Sequence, residues 1–188
     1  MTMFSESRLT PAAITAAAIF LLVLGVGGRL LPHAPNFTPL VAVAVFGAFL
    51  FRGHMAAWIV PVAVLLLSNL VLGFYEPGVV GAVIAGTLLA VAIGRFSFRN
   101  GASLFSVGAA SLGGALGFFL LSNLGVWAFG AGGHAYPHTV EGLAACFTAA
   151  LPFFKNLLAG TVFWSVVLFG CHALARRIAP EAFGSRPV

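Results

Sequence analysis

Long apolar runs separated by few charges constrain this chain more than any other feature. Hydrophobic residues make up 61% of the sequence and charged residues only 7%, whereas soluble domains carry roughly 25% charged residues. A chain with so little charge cannot cover a water-facing surface, so the sequence predicts an all-α integral membrane protein forming a single membrane domain. The basic residues are scattered and not clustered, which argues against nucleic acid as a partner and leaves the lipid bilayer as the surrounding medium.

Six apolar segments are predicted to cross the bilayer. A spanning helix needs about 20 apolar residues, or somewhat fewer where other helices cover its ends. The predicted spans are 11–28, 39–51, 55–74, 79–96, 102–128 and 152–176. Segment 129–151 is predicted to form an outer loop followed by a short interfacial helix at 141–151. A cleaved signal peptide at the start is disfavoured, because the first apolar run is too long for one and lacks a clean A-x-A site.

The distribution of lysine and arginine predicts the orientation of the bundle. With six spans and a cytoplasmic N-terminus, most of the basic residues fall on the cytoplasmic side. These residues are Arg8, Arg52, Arg95, Arg99, Arg176, Arg177 and Arg186. Only Arg29 and Lys155 fall at the outer side, so both termini are predicted to be cytoplasmic and the connector 29–38 is predicted to face outward.

The outer connector reads "RLLPHAPNFTP" and interrupts the apolar pattern with three prolines. Thr38 suits an N-cap and Pro39 suits the first turn of the next helix. Proline restricts the backbone, so this segment should be rigid. Its polar residues, Arg29, His33 and Asn36, are therefore predicted to form the rim of a pocket that opens outward.

Polar residues near the outer ends of the spans are predicted to form the pocket wall. Asn69 and Asn123 each stand in the string Leu-Leu-Ser-Asn-Leu, and Trp127 follows Asn123 by one turn on the same helix face. Each amide needs a partner in hydrocarbon, which a ligand or a neighbouring helix could supply equally. Lys155 and Asn156 either face a wet cavity or, for the lysine, reach the headgroups by snorkelling.

Three outward histidines, His33, His134 and His138, raise the alternative of a metal or tetrapyrrole site. Pro137 interrupts the segment between His134 and His138, so these two residues do not form one helical face. No thiol or carboxylate motif with ligand spacing accompanies the three histidines, so no metal site is assigned. The chain has no nucleophile–base–acid pattern, P-loop or dinucleotide fingerprint, so no enzymatic activity and no particular cofactor are predicted.

Several stretches together resemble a family of small, uncharacterised bacterial membrane proteins. They are "RLLPHAPNFTPLVAVAVFGA", "LSNLVLGF", "LSNLGVWAFG" and "YPHTVEGLAACFTAALPFFKNLLAGTVFWSVVLFG". That family is similar to the S-components of energy-coupling-factor (ECF) vitamin transporters, with the solitary cobalamin-uptake type closest. The resemblance implies a six-helix bundle in the bacterial inner membrane, with an outward pocket for a vitamin-like solute. It also implies an alanine face that docks an energising module, here Ala12, Ala13, Ala16 and Ala17.

The chain departs from this resemblance at three points. The family commonly has aspartate where this chain has Asn69, and again where it has Thr161. The cobalamin type ligates cobalt through a cysteine, and residues 79–96 contain none. Cobalt ligation by a thiolate is therefore not expected, and cobalamin is one of several possible solutes.

The predicted function is binding and uptake of a small organic solute, without covalent chemistry. The alternatives are a metal or tetrapyrrole handler and a structural or assembly subunit without a ligand. The predicted ligand-binding residues are Arg29, His33, Asn36, Asn69, Tyr75, Asn123, Trp127, His134, Tyr136, His138, Lys155 and Asn156.

Overall fold

A computed structural model describes residues 10–178, which fold into six α-helices and one short 3-10 helix. The α-helices are α1 (Pro11–Leu30), α2 (Leu40–Leu50), α3 (Ala56–Leu72), α4 (Pro77–Ser97), α5 (Leu104–Phe129) and α6 (Val140–Ile178). The 3-10 helix spans Gly130–Gly133. Arg8 and Arg186, which entered the orientation argument, lie outside the described residues.

Four of these helices, α1, α4, α5 and α6, are long and apolar enough to cross a membrane. The other two, α2 and α3, are apolar but shorter. The architecture is that of an α-helical membrane protein, as the composition predicts.

The short helix α2 lies at the centre of the bundle. It packs against all five other α-helices, and each of its residues except the last is buried. Eleven residues span only about 16 Å, about half the hydrocarbon thickness of a bilayer. Because protein surrounds α2 on every side, it does not need to match that thickness, and its N-terminus can end inside the bundle.

The longest helix, α6, differs from the prediction. Segment 141–151 is not a separate interfacial helix, because α6 runs unbroken through Pro152 from Val140 to Ile178. Proline is tolerated inside membrane helices where local adjustments compensate the missing N–H, so Pro152 does not start the helix as the sequence suggested. At 39 residues, α6 is about 58 Å long and must tilt or extend beyond the hydrocarbon core.

The start of α2 also differs by one position. Pro39, and not Thr38, occupies the N-cap, and no side chain caps the helix. The predicted bounds of α1, α3, α4 and α5 agree with the structure to within about two residues, the usual uncertainty at helix ends.

Arginines gather at the end of the bundle opposite Arg29. Arg52 follows α2 and donates from Nη2 to the carbonyl oxygen of Arg99, which follows α4, at 3.1 Å. The guanidinium of Arg95 lies 5.8 Å from the ring centroid of Trp58. Arg29, in contrast, lies in the last turn of α1, next to the connector.

Candidate ligand site at the connector

A partly polar cavity of about 150 Å³ lies beneath the connector between α1 and α2. The ends of several elements meet there: the C-terminus of α1, the N-terminus of α2, the C-terminus of α3 and the loop that follows it. Its polar lining residues are Arg29, His33, Asn36, Thr38 and Tyr75, and its apolar ones are Leu40, Val41, Leu72, Phe118 and Leu157. Four of the predicted ligand-binding residues therefore share one cavity.

Arg29 is held in place by two neutral side chains of α3. Its Nε–H donates to Ser68 Oγ at 2.7 Å and its Nη2–H donates to Asn69 Oδ1 at 2.9 Å. Ser68 and Asn69 are both buried. Asn69 therefore does not line the cavity but orients Arg29, which does. Ser68 is a second residue that orients Arg29, and the sequence analysis did not assign it.

The connector contains a tight turn at residues 34–37. The N–H of Phe37 donates to the carbonyl oxygen of Ala34 at 2.9 Å, and Asn36 has a positive φ of 63°. Pro35 fits the second position of a type II turn, and the third position needs a residue that tolerates the left-handed region, which asparagine does. The sequence "APNF" thus encodes the turn that brings Asn36 to the cavity.

His33 ties the connector to the last turn of α1. Its Nδ1 lies 2.7 Å from the carbonyl oxygen of Ala34, and its Nε2 lies 3.3 Å from that of Arg29. These two contacts hold the His33 ring between the connector and the end of α1.

The connector backbone rests directly on α6. A Cβ atom built on Gly160 would lie 3.0 Å from the Cα of Phe37 and 3.2 Å from the backbone nitrogen of Thr38. The rings of Phe37 and Phe163 also pack together, with centroids 5.7 Å apart. Gly160 is therefore the close-approach position that seats the connector, and sequence analysis did not identify it.

A second polar cluster lies at the end of α5. Trp127 donates from Nε1 to the carbonyl oxygen of Pro137 at 3.0 Å, and its ring meets that of His138 edge-on, with centroids 5.2 Å apart. Asn123 donates from Nδ2 to the carbonyl oxygen of Phe119, one turn back in the same helix, at 2.8 Å. These contacts anchor the outer loop, and none of these residues lines the connector cavity.

The remaining predicted residues also lie away from the cavity lining. His134 is exposed just after the 3-10 helix, and Tyr136 is half-buried in the outer loop. Asn156 is half-buried on α6. Lys155 lies on the exposed face of α6, with Leu151 and Ala159 one turn to either side, so the geometry suits snorkelling and not the pocket wall.

The alanines at the start of α1 divide between two faces of the helix. Ala12 and Ala16 are exposed, while Ala13 and Ala17 are half-buried. A continuous exposed strip remains along α1, which packs mainly on α3.

The outer histidines do not form a metal-binding cluster. Within residues 10–178, no group of three or more histidine, cysteine, aspartate or glutamate side chains is placed to hold a metal ion.

Comparison with known families places the chain. A model of DUF6580, a family of unknown function, matches residues 8–182. The chain belongs to this family. The DUF6580 match includes the connector, all six α-helices and every residue of the cavity lining. No curated protein and no solved structure matches this DUF6580 chain.

Proposed function

We propose that this DUF6580 protein binds a small organic solute in the connector cavity and takes part in its uptake across the bacterial inner membrane. One observation carries the proposal: Arg29, which has no carboxylate partner among residues 10–178, lines a cavity inside an otherwise apolar bundle. Ionisable groups inside membrane bundles are costly and mark functional sites by default.

The position of the cavity supports a transport role. Substrate sites in membrane transporters lie where a helix is interrupted within the bundle, so that its terminus faces the substrate. Here α2 is the short helix, and its first residues, Leu40 and Val41, line the cavity.

The volume of the cavity favours a solute smaller than a vitamin. Sites for drug-sized ligands occupy roughly 300–1,000 Å³, whereas the connector cavity holds about 150 Å³. A tetrapyrrole such as cobalamin needs far more room than this. We therefore propose that the solute is more compact than the vitamin-like molecule that the resemblance implies.

The proposal also includes the orientation of the protein in the membrane and the source of energy for uptake. The arginines opposite the cavity favour a cytoplasmic location for that end, so the cavity opens outward. Uptake is then driven by a partner ATPase module that docks on the exposed strip of α1 around Ala12 and Ala16, or by rocking of the bundle itself.

Native mass spectrometry with a blocked cavity tests the proposal. Leu72 lies at the cavity edge and is 54% exposed, so Leu72→Trp should fill the space without disturbing the core. Leu70→Trp is the matched control, because Leu70 is 70% exposed on another face of the same helix. We expect gently purified wild-type protein and the control to retain a small molecule that Leu72→Trp loses. Equal retention by all three proteins would place the bound molecule elsewhere and contradict the proposal.

A second candidate, an assembly subunit without a transported solute, is favoured by a different feature. An apolar groove of about 390 Å³ runs along the surface between α5 and α6. Its lining includes Gly108 and Gly170, small residues of the kind that let another helix approach closely. This candidate predicts stoichiometric copurification with one membrane protein, lost on Gly108→Leu and unaffected by Leu72→Trp.

A further inference from the structure

We propose that the solute is a small carboxylate with a short apolar tail, held by Arg29 and by the apolar side chains that line the same cavity. This inference rests on the proposed function and specifies the chemical class that the connector cavity recognises.

The charge of the cavity requires a compensating anion. Among the described residues, Glu76 and Glu141 are the acidic ones, both are exposed, and neither pairs with Arg29, whose hydrogen-bond partners are neutral. A cation without a charged partner is energetically unfavourable in a membrane bundle, and an anionic ligand offsets this cost better than a neutral ligand does.

The guanidinium is oriented to receive such a ligand. Ser68 and Asn69 accept hydrogen bonds from Nε and Nη2, which fixes the plane of the group, and no hydrogen bond to the described residues occupies Nη1. A carboxylate accepts hydrogen bonds from guanidinium donors with well-matched geometry. A single arginine balances one negative charge, so a monoanion fits better than a dianionic phosphate.

The N-terminus of α2 also borders the cavity and adds backbone donors there. The first N–H groups of a helix have no partner within it and carry a partial positive charge. No side chain caps α2, and Leu40 and Val41 line the cavity. Backbone N–H groups there are available to the second carboxylate oxygen.

The apolar part of the cavity lining favours an organic tail. It consists of Leu40, Val41, Leu72, Phe118 and Leu157. An inorganic anion would leave this apolar surface unfilled. The small volume of the cavity, about 150 Å³, favours a carboxylate with a short chain over a larger one.

Thermal stabilisation of the purified protein in nanodiscs tests the class. The probes are acetate, butyrate, hexanoate and benzoate, each compared with its primary amide, and inorganic phosphate. We expect at least one organic carboxylate to raise the melting temperature in a saturable way, with its amide and phosphate at least tenfold weaker. Arg29→Gln should abolish this response, and Arg29→Lys should retain part of it.

Because Arg29→Gln also removes bonds to α3, a second variant separates binding from folding. Thr38→Asp places a carboxylate at the cavity beside the start of α2, where a negative charge favours the helix. We expect this variant to keep its melting temperature and to lose the response to carboxylates. An unchanged response in a folded Thr38→Asp protein overturns the inference.

The outcomes also separate this inference from the proposed function. If an amide binds as well as its carboxylate and Leu72→Trp blocks both, the carboxylate assignment is wrong and the cavity remains the solute site. If no carboxylate in the panel stabilises the protein, the assignment is likewise overturned. If, in addition, no retained molecule depends on Leu72, the proposed function falls with it.

Discussion

Arg29 donates from Nη2 to Asn69 Oδ1 at 2.9 Å, which joins the last turn of α1 to the last turn of α3. The contact makes a neutral amide, not a carboxylate, the partner of a guanidinium that lines a cavity. The guanidinium therefore keeps its net charge available to a ligand. The charge of the side chain at position 69 should therefore affect how strongly Arg29 binds an anionic ligand.

Replacing Asn69 with aspartate should strengthen the fold and weaken binding. Asn69→Asp keeps the shape of the side chain and supplies a carboxylate to Arg29 at hydrogen-bonding distance. We expect an unchanged or higher melting temperature and at least a tenfold loss of affinity for a carboxylate probe, or about 1.4 kcal/mol. Titrations followed by thermal shift measure both quantities on the same sample.

Ser68→Ala is the control for this variant. It removes a neutral hydrogen bond to Nε and leaves the charge of Arg29 uncompensated by protein. Its loss of affinity should be clearly smaller than that of Asn69→Asp. A larger loss in Ser68→Ala would mean that orientation, and not charge, dominates recognition.

The turn at Asn36 makes a prediction that depends on the backbone. The positive φ of Asn36 costs an alanine about 1 kcal/mol and a glycine almost nothing. Asn36→Ala should therefore lower the melting temperature by about 2–4 °C, while Asn36→Gly should leave it unchanged. Differential scanning calorimetry measures both.

The variants Asn36→Ala and Asn36→Gly also test whether the side-chain amide of Asn36 contacts the ligand. If its side chain contacts the ligand, Asn36→Gly should bind more weakly at an unchanged melting temperature. If Asn36→Gly instead destabilises the protein as much as Asn36→Ala does, the backbone explanation of this position is wrong.

Sequence reasoning reached most of the fold because the apolar runs and their breaks are unambiguous. The helical class and the bounds of α1 and α3 to α5 follow from hydropathy and proline positions. The expectation at Pro152 was wrong because a proline after a loop resembles a helix start in sequence, whereas α6 continues through it. A run of apolar residues on both sides of a proline carries no local signal that distinguishes a helix starting at the proline from a helix continuing through it.

The cavity could be predicted only in part. Polar residues in the connector were recognised because they contrast with their apolar surroundings, and four of the predicted residues line the cavity. Ser68 and Gly160 were missed because their roles depend on which helices meet. Lys155 was grouped with the wall because the sequence does not show which face of α6 packs inward.

The exposed position of Lys155 predicts that it is dispensable for binding. It lies on the same face of α6 as Leu151 and Ala159, away from the cavity lining. Lys155→Ala should leave retention of the bound molecule unchanged in native mass spectrometry, whereas Arg29→Gln should abolish it. Loss of the bound molecule in a folded Lys155→Ala protein would show that Lys155 contributes to binding and would contradict this prediction.

Membrane orientation can be measured with single cysteines. In a background where Cys146 and Cys171 are replaced by alanine, His134→Cys should react with a membrane-impermeant maleimide in intact cells, because loop 130–139 is predicted to face outward. His54→Cys, in the exposed turn after α2, should react only after the cells are broken. The reverse pattern would invert the topology and make the connector cavity open to the cytoplasm.

Gly160 should tolerate a side chain poorly, because the connector backbone lies against it. The Cβ of Gly160→Ala would come within 3.0 Å of the Cα of Phe37, and prolines on both sides of that segment limit how far it can yield. We expect overpacking of about 1–3 kcal/mol, a lower melting temperature and weaker binding of carboxylate probes. Gly170→Ala is the matched control on the same helix, since a Cβ there has no atom within 4 Å. Equal behaviour of the two variants would show that the connector is not seated on α6 as the structure places it.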